Sequence, residues 1–160
     1  ALNGALTVVS SGKTEVFANV KPILEKIAVE IFHLEAPSSA TKMKLINNLC
    51  LGSFMATLAE CTALAESCEI PKAKALEILG VGGGQSLVLK AKTQKLINED
   101  FSAHFSNNAI NKDLHLLQDL AYNLKLPLYS AAVPKELYSK MKMMGKGEED
   151  FSSIYQLFKK

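Results

Sequence analysis

The stretch from Leu45 to Ala59 carries no charged side chain, and nothing else in the sequence restricts the fold as much. It is shorter than the roughly 20 residues a helix needs to cross a bilayer. It also contains Asn47, Asn48, Ser53 and Thr57, so it reads as a buried helix rather than a membrane span. Ser38, Ser39 and Thr41 precede it as cap candidates. The pattern does not break again until Glu69 to Pro71. The implied helix has nearly thirty residues, roughly 40 Å at 1.5 Å per residue. From Leu45 to Leu64 it is apolar on more than one face, which predicts pairing with a second copy of the chain. With 48% hydrophobic and 21% charged residues, the chain can surround such a rod with a core, which excludes disorder as a description of the whole.

The rest of the chain after Ser38 also reads as helices. Pro71 suits the first turn of a short helix ending at Gly80. Ser86 opens another to about Ile97. Asn98 to Ser106 is a connector carrying Phe101 and Phe105. A helix from about Asn108 to Leu124 places Ile110, Leu114, Leu117, Leu120, Ala121 and Leu124 on one side. A further helix runs from about Ser130 to Met144, with Met141, Met143 and Met144 expected to pack. Asp150 caps a last helix, with Phe151, Ile154, Tyr155 and Phe158 at i, i+3, i+4 and i+7.

The first stretch has a different texture. Ala5 to Val9 reads as a strand stopped by Ser10-Ser11-Gly12. Thr14 is the expected N-cap of a helix through Ile27, perturbed by Pro22. Val29 to Leu34 reads as a second strand. Strand, helix, strand is a fragment of an α/β layer, too small to hold a sheet alone. The chain starts at Ala1, without Met and as if in mid-element, so it is expected to be a piece of a longer protein.

Charge and cysteine usage narrow the function. Eighteen basic against 16 acidic residues leave a net charge of +2. That is no footprint for nucleic acid and no polybasic membrane patch. Cys50, Cys61 and Cys68 form no CxxC and have no histidine at ligand spacing, so no structural metal is expected and a reducing cytoplasm fits. The run Gly82-Gly83-Gly84 invites a phosphate-loop reading. No long strand precedes it, and Gln85 stands where a dinucleotide fingerprint needs glycine, so an inter-helix loop is expected. His33, His104 and His115 form no catalytic cluster.

Two sets of residues remain. Lys44 and Asn48 lie four apart and share a face of the long helix. A lysine buried in such apolar surroundings has a lowered pKa, which suits proton transfer near neutrality, and the asparagine could orient it or bind a substrate oxygen. From the residues alone the plainer reading stands ahead of this one: a helix-entry lysine that snorkels into water, beside an asparagine that satisfies backbone groups. Lys112 and Asp113 fall off the Leu114, Leu117 and Ala121 side, and as residues they read as a solvated pair.

In order, the sequence offers Lys44-Leu45-Ile46-Asn47-Asn48, Glu60, Ser86, Asp100-Phe101, Phe105, Lys112-Asp113-Leu114, and Gly145-x-Gly147-x-x-Asp150. It opens with Ala1-x-x-Gly4-x-Leu6-Thr7. This ordered set resembles the β-hydroxyacid dehydrogenase family, which includes 3-hydroxyisobutyrate dehydrogenase, tartronate semialdehyde reductase and glyoxylate/succinic semialdehyde reductases.

The resemblance implies a mainly α chain. Residues 1–37 would be the strand-helix-strand remnant of an N-terminal Rossmann domain. Residues 38–160 would be an all-helical domain like the C-terminal domain of 6-phosphogluconate dehydrogenase. It implies NAD or NADP as cofactor, bound mainly by a domain absent from this chain, and a small hydroxy acid or semialdehyde as substrate. Lys44 would be the general acid/base with Asn48 in support. Lys112 would contact the cofactor, and Phe105 and Asp113 would line the substrate cleft. Ser38 and Ala40 stand where the family usually has glycines, so strain is expected there if φ is positive. Two rivals remain: a non-catalytic helical dimerisation module of the same fold, and an unrelated helical scaffold. The scaffold expects no α/β edge near residues 5 to 34.

Overall fold

The computed structural model describes residues 6–159. Ala1, Gly4 and Ala5 of the readings above lie outside the described residues. Among the described residues the chain is mostly helical with one two-stranded parallel sheet. It divides into two compact units between Asn47 and Asn48.

In the first unit, β1 (Leu6–Ser11) and β2 (Ala28–Leu34) run parallel, with Val8 opposite Ile31 and Val9 opposite Phe32. Parallel strands need a crossover, supplied here by α1 (Thr14–Leu24). The α/β edge is formed, against the scaffold reading. Lys13, not Thr14, occupies the N-cap; Thr14 is the first helical residue, and its hydroxyl donates to Glu35 instead. α1 ends at Leu24 rather than Ile27, two residues past Pro22, which supplies no amide to the last turn. His33 is structural: its ring stacks on Phe17 at 4.1 Å and its Nδ1 lies 3.1 Å from the Ser10 hydroxyl.

α2 (Ser39–Ser67) is the expected long helix, 29 residues. The backbone at Ser38 takes φ 66°, so the cost of the missing glycine falls there. Ala40 is helical and escapes it. By length and composition alone α2 could cross a membrane. In the second unit, however, it is a core helix. Met55, Ala59 and Thr62 are fully buried, and the Thr62 hydroxyl returns to the Leu58 carbonyl at 2.7 Å.

Around it lie α3 (Lys72–Val81), α4 (Leu87–Asn98), α5 (Asn107–Asn123) and α6 (Tyr129–Met143). Gly52 lets α5 approach α2, since a Cβ there would stand 3.1 Å from Leu114 Cδ1. The chain from Gly82 to Gln85 is a tight turn closed by the Gln85 amide on the Gly82 carbonyl at 3.2 Å, and a helix, α3, rather than a strand leads directly into it. Ser86 caps α4 by accepting from the Leu89 amide.

Two expectations about helix type and packing fail here. The final segment, Phe151–Leu157, is a 3-10 helix. Phe151 to Tyr155 are all buried, so no solvent face exists to select an amphipathic α-helix. Of the three methionines only Met141 packs. Met143 is 87% exposed and Met144 half exposed, because they fall where the buried stripe of α6 ends. Cys50 and Cys68 are exposed, Cys61 is half-buried, and all three are free thiols.

Candidate active site

α5 is started by Ser106, whose hydroxyl accepts from the Ala109 amide at 3.2 Å. Its stripe Ile110, Leu114, Leu117 and Ala121 is buried. Asp113 lies beside that stripe, and the structure corrects the solvated reading: Asp113 is 1% exposed. The cause is α2. Asn48 shares the buried stripe of α2 with Gly52, and its Nδ2 donates to Asp113 Oδ2 at 2.7 Å. Lys112 Nζ lies 2.5 Å from Asp113 Oδ1, with 63% of its side chain exposed. A buried carboxylate thus holds a neutral amide with one oxygen and an exposed ammonium with the other. That arrangement fixes the amide's orientation and tethers a cation at the surface.

Lys44 is four residues before Asn48 on α2. It is exposed, as the snorkelling reading has it, and no described residue before Asn48 is buried. Within the first unit it lines a crevice of about 660 Å³ with Thr7 and Val9 of β1 and Ala40, Thr41, Met43 and Asn47 of α2.

Phe105 belongs to another set of contacts. It is half-buried, and its ring meets Phe151 edge-on at 5.9 Å. Glu60 is exposed. Among the described residues no group of three or more His, Cys, Asp or Glu side chains is arranged to hold a metal.

The sequence reading saw Asp150 as a cap and as the end of a glycine motif, and missed its partner. Lys92 of α4 lies 2.8 Å from Asp150, and both side chains are buried. Asp150 also accepts from the Ser152 amide and hydroxyl and from the His104 amide. Burial pushes this carboxyl up; the Lys92 ammonium, with the Ser152 and His104 donors, outweighs burial and leaves it below the ordinary carboxylate value. Nearby, burial first and the Asp150 charge second push the Tyr138 phenol well up. The available signal was Lys92 at i+4 from Val88 and i−4 from Leu96, a cation within an apolar stripe.

A family model described as the NAD-binding part of NADP-dependent 3-hydroxyisobutyrate dehydrogenase matches residues 38–158. The chain is 31% identical to 2-(hydroxymethyl)glutarate dehydrogenase of Eubacterium barkeri, over 97% of this chain and 52% of that protein. It is 29% identical to L-threonate dehydrogenase of Escherichia coli strain K12, over 99% and 53%. Among solved structures, 3-hydroxyisobutyrate dehydrogenase from Salmonella typhimurium superposes with a TM-score of 0.93 at 27% identity, covering 98% of this chain and 55% of that one. The chain therefore spans about half the length of the curated relatives it matches.

Proposed function

The chain belongs to the NADP-dependent 3-hydroxyisobutyrate dehydrogenase family, and from that premise we propose that it is the helical half of an NAD(P)-dependent oxidoreductase interconverting a small β-hydroxy acid and its semialdehyde. Residues 1–37 are then the end of a nucleotide-binding α/β domain. Residues 38–160 are a helical domain of the 6-phosphogluconate dehydrogenase C-terminal type, which also pairs two copies. A cytoplasmic location goes with this reading.

The observation that carries it is the hydrogen bond from Asn48 to Asp113, which joins two motif residues 65 positions apart in sequence. Lys44 gives a proton to the substrate's carbonyl oxygen in reduction and takes one from the hydroxyl in oxidation. Asn48, its amide fixed by Asp113, binds the same oxygen region. A bound nicotinamide nucleotide supplies or accepts the hydride. Lys112 fits such a nucleotide because its ammonium is exposed yet tethered. Phe105 lines the substrate cleft, and Asp113 contributes through the two side chains it holds.

The test uses the protein in which this chain continues into its nucleotide-binding half. Turnover is measured with NAD(P) and 3-hydroxyisobutyrate, L-threonate and 2-(hydroxymethyl)glutarate. Lys44→Ala should lower kcat about 10²- to 10⁴-fold. Equal activity in both forms, or none in either, favours the non-catalytic dimerisation module. Residues 1–160 alone should bind neither NADH nor NADPH by calorimetry; micromolar binding would overturn the domain assignment. Light scattering at the mass of a single chain would count against pairing, which is supported by the exposed apolar side chains Phe54 and Leu64 of α2.

A further inference from the structure

The connector between α4 and α5 carries Phe105, and one carboxylate holds it. Asp150 Oδ2 accepts from the backbone amides of His104 at 3.0 Å and Phe105 at 3.3 Å. The Asp150 amide donates to the Phe101 carbonyl at 2.8 Å, and the Phe151 amide donates to the Phe105 carbonyl at 2.9 Å. Both backbone polar groups of Phe105 therefore end on Asp150 or Phe151, and its ring rests against Phe151.

A carboxylate this deeply buried needs compensation. Lys92 supplies it from α4 at 2.8 Å, with its ammonium 4.7 Å from the Phe151 ring centre. The Ser152 hydroxyl adds a donor at 2.7 Å. Ordinary connectors run over the surface and sample several conformations. This one is tied to a buried ion pair at the residue where the apolar ring projects.

We infer that Asp150, braced by Lys92, is a positioning residue: it fixes the backbone at His104 and Phe105 and so sets where the Phe105 ring meets the substrate. The inference rests on the proposed place of Phe105 in the substrate cleft. It assigns Asp150 to substrate affinity rather than to proton transfer, since its carboxylate is fully buried and engaged by five donors.

The experiment is a double-substitution cycle in the complete protein, with whichever substrate of the three above is turned over fastest. Asp150→Asn should raise its KM roughly tenfold, with kcat within about twofold and NADPH affinity unchanged. Phe105→Ala should raise KM similarly, and the double variant no further than either single one. KM effects that multiply overturn the positioning role. An unchanged KM in Phe105→Ala overturns the earlier placement of Phe105 instead, and this inference with it. Leu96→Ala, a fully buried α4 residue outside this cluster, controls for general loosening; an equal KM rise there overturns the inference. Should Asp150→Asn not fold, Ser152→Ala replaces it in the same cycle. It removes one donor, leaves the ion pair, and should raise KM in the same direction by a smaller factor; no rise overturns the inference.

Discussion

Asp113 and Asp150 are both buried, and both are paired with a lysine, yet the two pairs are built for different ends. The partner of Asp113, Lys112, stands 63% exposed, while the partner of Asp150, Lys92, is 6% exposed. Lys112 keeps most of its hydration, so its ion pair costs little to form and leaves a cation within reach of a ligand. Lys92 has surrendered its water and can serve only inside the fold. Identical chemistry thus yields a presented charge in one place and a fastening in the other. Solvent access to the lysine, not the ion pair itself, makes the difference.

The largest effect expected from this contrast is on stability. Lys92→Met should destabilise by about 3–5 kcal/mol, because it leaves a buried carboxylate without its cation; a shift in the urea midpoint measures it. A loss below about 1 kcal/mol would break the comparison. Asn48→Ala comes next, at about 1–3 kcal/mol, since it strips a buried donor from Asp113. The third effect is acid sensitivity. Asp150 titrates below its unfolded value, so the unfolded chain binds protons first as pH falls. Its contribution is complete above the ordinary carboxylate value of about 3.9 and disappears as pH drops through the folded value. Urea midpoints from pH 6 to pH 3 should fall further in the wild type than in Asp150→Asn. Lys112→Met closes the series: under about 1 kcal/mol of stability, with a raised KM for the nucleotide in the complete protein. A stability loss as large as that of Lys92→Met would erase the distinction.

The long helix, the strand-helix-strand opening and most helix starts were legible because each is written locally. Ser86, Ser106 and Asp150 sit at the starts their side chains cap. What could not be read was the company a side chain keeps at long range. Asp113 looks solvated on its own helix, and only Asn48, 65 residues earlier, explains its burial. Lys92 and Asp150 lie 58 apart and pair for the same reason. Lys44 could be read two ways. Its neighbours in sequence are apolar, but that end of α2 precedes every buried described residue, and the exposed side chain agrees with the snorkelling reading. The final 3-10 helix was misread because a spacing of three and four fits either helix type when all sides are covered.

The thiols on α2 have a practical consequence. Cys50 and Cys61 are eleven positions apart, close to three full turns, so they ride one stripe of a single rod about 16 Å from each other. That separation is far beyond the reach of a disulfide. Air oxidation of these two would therefore stitch separate molecules together before it could close a ring within one. A pair of spin probes attached at the same positions would act as a built-in ruler, reading whether the rod stays straight.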